Sequence, residues 1–391
     1  ISFSPSILYS QQEANNITHT VYVRFAPAQN GQEYSGSVSI ATSDLSETIN
    51  LKGSSIDPAT TLEVVNWNIE WFGSTEEDPA DDNRQEQNVR TILQNTGADI
   101  YALVEVVNEA RLASVVSQLP GYAYVISDFG SHTNTTINPP GALAQAQKLA
   151  FVYKTSVFTN VTAGALLSQG INSAADLQNP AYGYFSSGRF PYMLSADVTL
   201  NCITKKVRFV LVHAKANTSP TTESYNRRKR SADTLYYTLN QLYANDNIVI
   251  LGDLNDDLDK SITAGFTTTS WSSFTNDTEN YTAVTLPLSL AGKKSTVSHN
   301  DVIDHVIVSS EMQPYYMNET AAILTDVSGL VTNYGSTTSD HYPVFTRYFF
   351  GNPDATPVIN VCPQVSAVCA NGAVTVNVPV FSATAFCGKV S

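Results

Sequence analysis

Acidic, amide and histidine side chains interrupt or end several apolar stretches of the sequence. Glu105 ends the run Ile100–Val104, and His213 ends the run Val207–Val212. One residue of this kind is usually a turn, a cap or a hydrogen-bonded core residue, and alone it would not indicate a site. The pattern recurs at further positions, namely Asn68, Glu70, Asp253, Asn255, Asp304, Asp340 and His341. Because a buried carboxylate is costly unless it is paired, this recurrence indicates a functional site.

These residue types suit the hydrolysis of a phosphate ester. Carboxylate and amide oxygens are hard ligands, so we expect Mg²⁺, with Mn²⁺ and Ca²⁺ as alternatives, rather than zinc. A histidine held by an aspartate can act as a base or stabilise charge at phosphorus in the transition state. The sequence lacks the motifs of serine hydrolases, zinc proteases and phosphate-loop ATPases, which disfavours those classes.

The periodicity of the sequence predicts the elements that position these side chains. The strand candidates are Leu62–Trp71, Ile100–Val106, Lys148–Tyr153, Tyr192–Leu200, Val207–His213, Ile248–Leu251, Val302–Val308 and Pro343–Phe349. The helix candidates are Arg84–Asn95, Glu109–Gln118 and Thr222–Tyr243. A period of two places Asn66, Asn68 and Glu70 on one face of the first strand, and Asp304 is expected in mid-strand. We predict an α+β fold in which two packed β-sheets are flanked by helices.

Two linkers separate this mixed region from its flanks. The N-terminal flank shows strand patterns at Val21–Phe25, Tyr34–Ile40 and Thr48–Leu51, which are typical of an immunoglobulin-like β-sandwich fragment. The predicted domains are this fragment at 1–56, a linker at 57–61, the catalytic domain at 62–350, and a linker with a short β-rich tail at 351–391. The tail is too short to fold alone.

Composition and charge exclude several classes of protein. The net charge is −14, from 21 basic and 35 acidic residues, which excludes a broad basic face for nucleic acid. A protein can still reach phosphate through a metal ion, because a metal site itself needs carboxylates. The hydrophobic fraction of 42% excludes a disordered chain. No apolar run approaches the roughly 18 residues of a membrane span, so no transmembrane segment is expected.

Other features are typical of an exported protein. Lysine content is low and Asn-x-Ser/Thr triplets recur, although an Asn- and Thr-rich sequence also forms such triplets by chance. The sequence starts without methionine and shows no signal peptide, so we expect a processed chain. Cys202 stands alone, and Cys362, Cys369 and Cys387 leave at most one bridge among themselves. We expect a secreted or cell-surface protein, with its flanking modules available for attachment.

Six motifs in the mixed region resemble, in the same order, those of the endonuclease/exonuclease/phosphatase superfamily, the group of deoxyribonuclease I. The motifs are Asn66–Trp71, Asp99–Glu105, Leu211–Lys215, Leu251–Asn255, Ile303–Val308 and Ser339–Pro343. Each is short, but six in order are a specific signal. The resemblance implies a four-layer α/β sandwich with a metal-dependent site at one end of its two sheets.

The resemblance also implies roles for the acidic and amide residues. Glu105 looks like the principal metal ligand, and Asn68 like the amide beside the metal and the substrate phosphate. Glu70 looks like a weaker additional ligand, and Asp340 like a second carboxylate on the metal side. All four residues are therefore expected near the ion.

Catalytic roles follow from the same resemblance. Asp253 and Asn255 would orient the attacking water and contact the phosphate. His341, held by Asp304, matches the dyad that acts on the scissile phosphate. His213 matches a second histidine that is a candidate general acid or phosphate ligand in some branches.

The basic residues show both similarities and departures. Arg189 resembles an arginine that touches substrate phosphate, and Lys215 belongs to a His-x-Lys pattern similar to that of exported bacterial nucleases. The acidic residue that some relatives place near the second histidine is Gln147 here, which leaves the orientation of His213 open. The basic run Arg227–Arg230 either grips a phosphate backbone or is a solvated helix face.

Three functions are compatible with these observations. The first is an exported, divalent-metal phosphodiesterase that cuts DNA or RNA by in-line attack of an activated water and works as a monomer. The second is a sphingomyelinase-like or other small-molecule phosphoesterase, for which Trp271 would mark a membrane-touching loop. The third is a binding or adhesion module on an inactive catalytic fold, against which the complete set of site residues argues.

Overall fold

A computed structural model describes most of the chain in separate stretches. The described residues are 8, 10, 33–41, 46–54, 56, 58–131, 145–168, 180–351, 360–361 and 380–381. The chain divides into two units, Ile1–Asp57 and Pro58–Ser391. The boundaries expected for the catalytic domain and its linkers remain predictions.

The described part of the first unit contains two paired strands. These are β1 (Glu33–Ala41) and β2 (Ser46–Ser54), which run antiparallel. They confirm the strands predicted at Tyr34–Ile40 and Thr48–Leu51, whereas the one predicted at Val21–Phe25 lies outside the described residues. One strand pair does not define an immunoglobulin-like sandwich, so that assignment stays a prediction.

The described part of the second unit contains two six-stranded sheets and a short strand pair. Its strands are β3 (Thr61–Phe72), β4 (Ile100–Val106), β5 (Tyr122–Gly130), β6 (Lys148–Lys154), β7 (Phe158–Ala165), β8 (Tyr192–Leu200), β9 (Ile203–His213), β10 (Asn247–Asp253), β11 (Tyr281–Ala283), β12 (Asp304–Ser309), β13 (Ala322–Ile323), β14 (Val344–Phe349), β15 (Asn360–Val361) and β16 (Val380–Phe381). Sheet 1 has the order β13-β14-β3-β4-β6-β5, and sheet 2 has the order β11-β12-β10-β9-β8-β7. Within them β3–β4 and β9–β10 pair parallel, and the other neighbours pair antiparallel.

Helices lie between the strands along the chain. They are α1 (Asp82–Thr96), α2 (Glu109–Ser117), α3 (Pro180–Tyr184), α4 (Thr221–Leu242), α5 (Ser272–Thr275), α6 (Leu286–Leu290) and α7 (Tyr334–Thr337), with 3₁₀ turns at Pro58–Thr60, Gln313–Tyr315 and Thr325–Leu330. Helix α1 begins after Asp81, whose carboxylate accepts a hydrogen bond from the Arg84 amide at 3.0 Å. It ends at Gly97, which takes the left-handed conformation with φ 62° that favours glycine at this position. The three helices predicted from the sequence are confirmed.

Alternating side chains of the central strands separate the core into layers. In β9, Phe209 and Leu211 face the other sheet, whereas Val210 and Val212 pack with Leu235 of α4. The inner core contains Val64, Ala102, Val104 and Phe151 of sheet 1 with Leu194, Phe209, Leu211 and Leu251 of sheet 2. Helices α1 and α2 cover the outer face of sheet 1. The prediction of two packed sheets flanked by helices is confirmed, and both sheets are mixed.

The sequence predicted the central strands better than the edges. All eight predicted strands are present, but the four edge strands of the two sheets, β5, β7, β11 and β13, were not predicted. Most of β7 is exposed, so its hydrophobic pattern is weak. Asp304 is the first residue of β12, so the expectation that it lies in mid-strand is wrong. Cys202, in the turn after β8, forms a disulfide bond.

Two close contacts lie near the end of β10. One joins the two sheets, and the other allows β9 and β10 to pair within sheet 2. Asn66 crosses from sheet 1 and donates hydrogen bonds to the carbonyls of His305 at 3.2 Å and Gly252 at 3.4 Å. Gly252 has φ +135°, and a Cβ at this position would lie 1.9 Å from the Val212 carbonyl oxygen. Only glycine therefore allows β9 and β10 to pair here.

We predict that Gly252→Ala lowers the free energy of unfolding by about 3 kcal/mol or more, because backbone must move to admit the methyl group. Gly164→Ala is the matched control, since this glycine also lies in a strand but a Cβ added to it would have no atom within 4 Å. We expect the control to stay within about 0.5 kcal/mol of the wild type in urea denaturation. Equal stability of the two variants would contradict the packing account.

Candidate active site

The polar ends of the central strands meet at one edge of the two sheets. In each sheet the parallel pair, β3–β4 or β9–β10, ends on the same side. Asp253 pairs directly with His213 on β9 and with Asp304 on β12. Asn68 and His213 continue the strand faces that form the core between the sheets. The inner core therefore ends in a cluster of acidic, amide and histidine side chains.

The amide of Asn68 joins carboxylates from both sheets. Its Nδ2 donates to Glu105 Oε1 at 3.0 Å and to Asp253 Oδ2 at 3.1 Å. Its Oδ1 accepts the backbone N–H of Glu70 at 2.9 Å. Asn68 thus acts here as a hydrogen-bond donor to two carboxylates. A bond from Asn68 to a metal ion would have to use its Oδ1 instead.

Unusual backbone conformations aim Glu105 into the site. Along β4, Tyr101 and Leu103 face the outer helices, and alternation would send Glu105 the same way. Glu105 instead has φ 66°, and the ladder shifts register there, so its carboxylate reaches Asn68 and the backbone N–H of Trp71. Left-handed backbone costs a non-glycine residue about 1–2 kcal/mol. Such strain, placed in a cluster of acids, is typical of a functional site.

Asp304 and His341 form a buried dyad. His341 Nδ1 lies 2.7 Å from Asp304 Oδ2, and the same oxygen accepts the hydroxyl of Ser295 at 2.7 Å. The backbone of His341 is also fixed, because its N–H donates to Ser339 Oγ at 3.0 Å and its carbonyl accepts Trp67 Nε1 at 3.0 Å. Burial alone would lower the pKa of His341, but the Asp304 carboxylate outweighs it and raises that pKa well above the usual range.

His213 lies between the two carboxylates on the other side of the site. Its Nε2 is 3.5 Å from Glu105 Oε1 and 3.6 Å from Asp253 Oδ2, and its side chain is 2% exposed. Burial lowers the pKa of His213 well below its usual range, and the charge of Arg189 adds to this. Its Nδ1 has no hydrogen-bond partner among the described residues. Gln147 does not orient His213; it accepts a hydrogen bond from Arg189.

The carboxylates of the site repel one another and resist ionisation. Burial raises the pKa of Glu70 to about 8, with help from the charges of Asp340 and Glu105. Burial, followed by the charge of Asp304, raises the pKa of Asp253 to about 7. Burial also raises the pKa of Glu105. A positive charge brought into this cluster would therefore stabilise the ionised side chains.

The donor set fits a hard divalent cation. Glu105, Asp253 and His213 can offer one ligand atom each within 4.8 Å of one another, and so can Asp253, Asp304 and His341. Buried Glu70 Oε2 has no partner among the described residues. Carboxylate oxygens in this number favour Mg²⁺ or Mn²⁺ over soft metals. Glu105 would hold the ion, with the Asp253 carboxylate beside it.

Two further carboxylates lie beside this group. Asp340 Oδ1 is 3.8 Å from His341 Nε2, which places Asp340 next to the dyad. The charge of Asp340 helps to raise the pKa of Glu70, so these two residues are neighbours as well. Glu70 and Asp340 are thus positioned to complete the surroundings of an ion held by Glu105.

The remaining predicted residues meet at the loop after β9, although they come from different parts of the chain. Asn255 donates from its backbone to Asp253 Oδ1 at 2.9 Å and from Nδ2 to the Ala214 carbonyl at 3.2 Å. Arg189 Nη2 donates to the same carbonyl at 2.8 Å. Lys215 Nζ contacts Thr218 Oγ1 at 2.6 Å and makes no ion pair in the described part of the chain. Asn255 and Arg189 thus reach the site, and Lys215 lies at its border.

Two sequence-based hypotheses lose support in the structure. The residues of Arg227–Arg230 do not form one phosphate-gripping surface, because Arg228 is fully buried and donates to the Lys215 carbonyl at 3.0 Å. Trp271 is also fully buried and donates to the Leu254 carbonyl at 3.1 Å, so it marks no membrane-touching loop. Conversely, Ser295 was not predicted as a site residue, since a lone serine in a polar stretch carries no signal.

Two packed mixed sheets whose central strands end in a carboxylate and histidine cluster define the class of metal-dependent phosphoric ester hydrolases. The chain belongs to the endonuclease/exonuclease/phosphatase family, whose model matches residues 65–341. This finding agrees with the six motifs, all of which lie within or overlap that range. No sequence among curated proteins matches the chain.

Solved structures share the fold at low sequence identity. The catalytic domain of human Nocturnin with bound sulfate is 16% identical, with a TM-score of 0.50, over 75% of this chain and 94% of that chain. An endonuclease/exonuclease/phosphatase from Bacteroides vulgatus is 12% identical, with a TM-score of 0.50, over 74% and 98%. One from Beutenbergia cavernae is 16% identical, with a TM-score of 0.50, over 78% and 75%. These similarities show the fold alone.

We predict that the metal-free protein loses stability as pH rises from about 6.5 to about 8. A carboxyl group with a higher pKa in the folded than in the unfolded protein makes unfolding release protons, so stability falls as pH rises through that interval. This pH interval, between the pKa of the unfolded and that of the folded protein, ends at about 7 for Asp253 and at about 8 for Glu70. The raised pKa of His341 acts in the same direction.

Thermal unfolding at both pH values measures this effect. Mg²⁺ or Mn²⁺ should raise Tm more at the higher pH, because the ion stabilises the ionised carboxylates. Glu70→Gln, which cannot ionise, should show a flatter pH dependence without metal. A Tm that rises over this pH interval in the metal-free wild type would contradict the electrostatic account.

We predict that Ser295→Ala lowers kcat for phosphate-ester hydrolysis by about 10-fold, because Asp304 loses a hydrogen bond to its charged carboxylate. Ser270→Ala is the matched control, since its buried hydroxyl has no partner among the described residues. Steady-state kinetics of both variants, with Tm measured alongside, check the prediction. A wild-type kcat for Ser295→Ala would show that Ser295 does not position the dyad.

Proposed function

We propose that the protein is a divalent-metal-dependent phosphodiesterase that hydrolyses nucleic acid. The observation that supports this most directly is the position of the Asp304–His341 dyad. His341 is bonded to Asp304 through Nδ1, and its Nε2 lies 4.0 Å from Asp253 Oδ2. Asp253 in turn shares the Asn68 amide with Glu105. One phosphate group could therefore accept a hydrogen bond from the histidine while an ion held by Glu105 and a water activated by Asp253 lie beside it.

The bound ion would neutralise charge on the phosphate and favour deprotonation of the attacking water. His341, kept protonated by Asp304, would donate a hydrogen bond from Nε2 to a phosphoryl oxygen. The water would attack phosphorus in line with the leaving oxygen, and Asp253 would accept the proton that this water gives up. His213, held neutral by burial, would bind the phosphate from the side of Glu105, and Asn255 would keep Asp253 oriented.

The alternatives are less well supported. The phospholipid hypothesis relied on Trp271, which is buried in the core. A binding module without activity would not need Glu105 in a strained conformation or buried like charges, both of which cost stability. The net charge of −14 argues against tight binding of nucleic acid, but a hydrolase that releases its products quickly needs no tight binding.

We also propose that the protein is exported and acts outside a bacterial cell as a monomer. The disulfide bond of Cys202 supports this location, because such bonds persist in oxidising compartments. None of the helices in the described stretches combines the length and the apolar character that a membrane crossing requires. Attachment to a cell surface through the flanking segments remains a hypothesis.

Supercoiled plasmid incubated with Mg²⁺ or Mn²⁺ tests the proposed activity, with EDTA as the control for metal dependence. We predict metal-dependent nicking that falls by at least about 10²-fold in His341→Ala, because the dyad is lost. His299→Ala is the matched histidine control, since His299 is exposed and outside the site. Intact plasmid and intact RNA under both metals would refute a nuclease, and full activity of His341→Ala would refute the dyad.

A further inference from the structure

Three cations beside the site have no acidic partner. Among the described residues, the basic side chains in ion pairs with Asp or Glu include Arg111, Lys154, Arg208, Arg228, Lys229 and Arg347. Arg189, Lys215 and Arg227 form no such pair in the described part of the chain, although acidic residues outnumber basic ones by 35 to 21. Other cations without an ion pair to a described residue, such as Arg84 and Lys206, are exposed to solvent, whereas Arg189 is buried and Lys215 and Arg227 are half-buried.

These three cations come from different elements but lie close together. Arg189 precedes β8 and bonds to the Ala214 carbonyl at 2.8 Å, next to Lys215 in the loop after β9. Arg227, on α4, donates from Nε to the Gly183 carbonyl at 2.7 Å, in the segment that leads to Arg189. Burial lowers the pKa of Lys215 to about 8, and the charges of Arg227 and Arg189 add to this, which reflects their proximity.

The cluster adjoins the catalytic carboxylates. The charge of Arg189 acts on both Glu105 and Asp253, and the charges of Arg189 and Lys215 act on His213. Glu223, one turn before Arg227 on α4, also acts on Arg227 but forms no ion pair with it. The cations thus extend from the catalytic centre toward α4.

Donor groups in the cluster are left for a ligand. Arg189 is 7% exposed, and its Nε has no hydrogen-bond partner among the described residues. Arg227 uses Nε on Gly183, and its terminal nitrogens make no hydrogen bond to another described residue. Lys215 uses two of its three N–H groups, on Thr218 Oγ1 and on the Ala216 carbonyl. An anion would satisfy these donors and relieve the repulsion among the three charges.

We propose that Lys215 and Arg227, together with Arg189, bind a phosphate that neighbours the scissile one. This inference rests on the proposed phosphodiesterase activity and narrows its substrate class to a strand of linked phosphodiesters. A choline phospholipid fits poorly, because it carries a single phosphate and its quaternary ammonium would be repelled by the cluster. The subsite also reconciles a chain of net charge −14 with a nucleic-acid substrate, since the positive charge is concentrated where the strand passes.

Binding and cleavage measurements together test the subsite. Fluorescence anisotropy with a phosphorothioate single-stranded oligonucleotide, in EDTA, measures affinity independently of catalysis. We expect Lys215→Ala and Arg227→Ala each to weaken binding by about 10-fold and to reduce the salt dependence by about one released counterion. Lys206→Ala is the matched control, because Lys206 lies on β9 seven residues before His213, about 23 Å away along the strand.

Cleavage of an oligonucleotide and of bis(4-nitrophenyl) phosphate separates the subsite from the catalytic centre. The small diester has no neighbouring phosphate, so both variants should lose at least about 10-fold more kcat/KM on the oligonucleotide than on the diester. Equal losses on the two substrates, or wild-type oligonucleotide affinity in both variants, would overturn the subsite. A wild type that cleaves neither substrate, while the variants still lose affinity, would refute the proposed activity and leave the subsite standing.

Discussion

Carboxylates from two different sheets lie within hydrogen-bond distance of one amide group, that of Asn68, and the site depends on this arrangement. Like charges buried together repel, and burial raises the pKa values of Glu105 and Asp253. The carboxylates stay together because the strands that bear them end side by side and the two sheets are packed through an apolar core. The uncompensated charge is what makes the site able to hold a divalent ion and, through it, a phosphate.

The framework around this cluster is rigid where the chemistry requires fixed positions. The His341 imidazole is held by Asp304 and its backbone by Ser339 and Trp67, so the ring has one orientation. Glu105 keeps a left-handed backbone because its carboxylate is bonded on both oxygens. Strain and buried charge of this kind reduce stability, and a large apolar core offsets the cost. The apolar core thus provides the stability of the fold, and the strained and charged residues at the ends of its strands provide the site.

Much of the fold and the positions of most candidate residues could be predicted from the sequence, because the central strands are apolar and their polar ends stand out. Edge strands such as β7 were not predictable, since an exposed strand has little hydrophobic pattern. The aim of Glu105 was not predictable either, because strand alternation points it outward and only the local backbone reverses it. Contacts between distant segments, such as Ser295 with Asp304 or Gln147 with Arg189, leave no mark in the local pattern.

Glu105 and Asp253, the two carboxylates that accept from the Asn68 amide, are expected to surround a divalent ion that Glu105 binds. The proposed chemistry depends on this ion. Titration of the protein with Mn²⁺, followed by electron paramagnetic resonance, tests it most directly, with Glu105→Gln as the variant that keeps shape but removes charge. We predict a saturable Mn²⁺ site in the wild type that is weakened by at least about 10-fold in the variant. Equal affinity in the two proteins would contradict this expectation, because the ion would then be bound elsewhere.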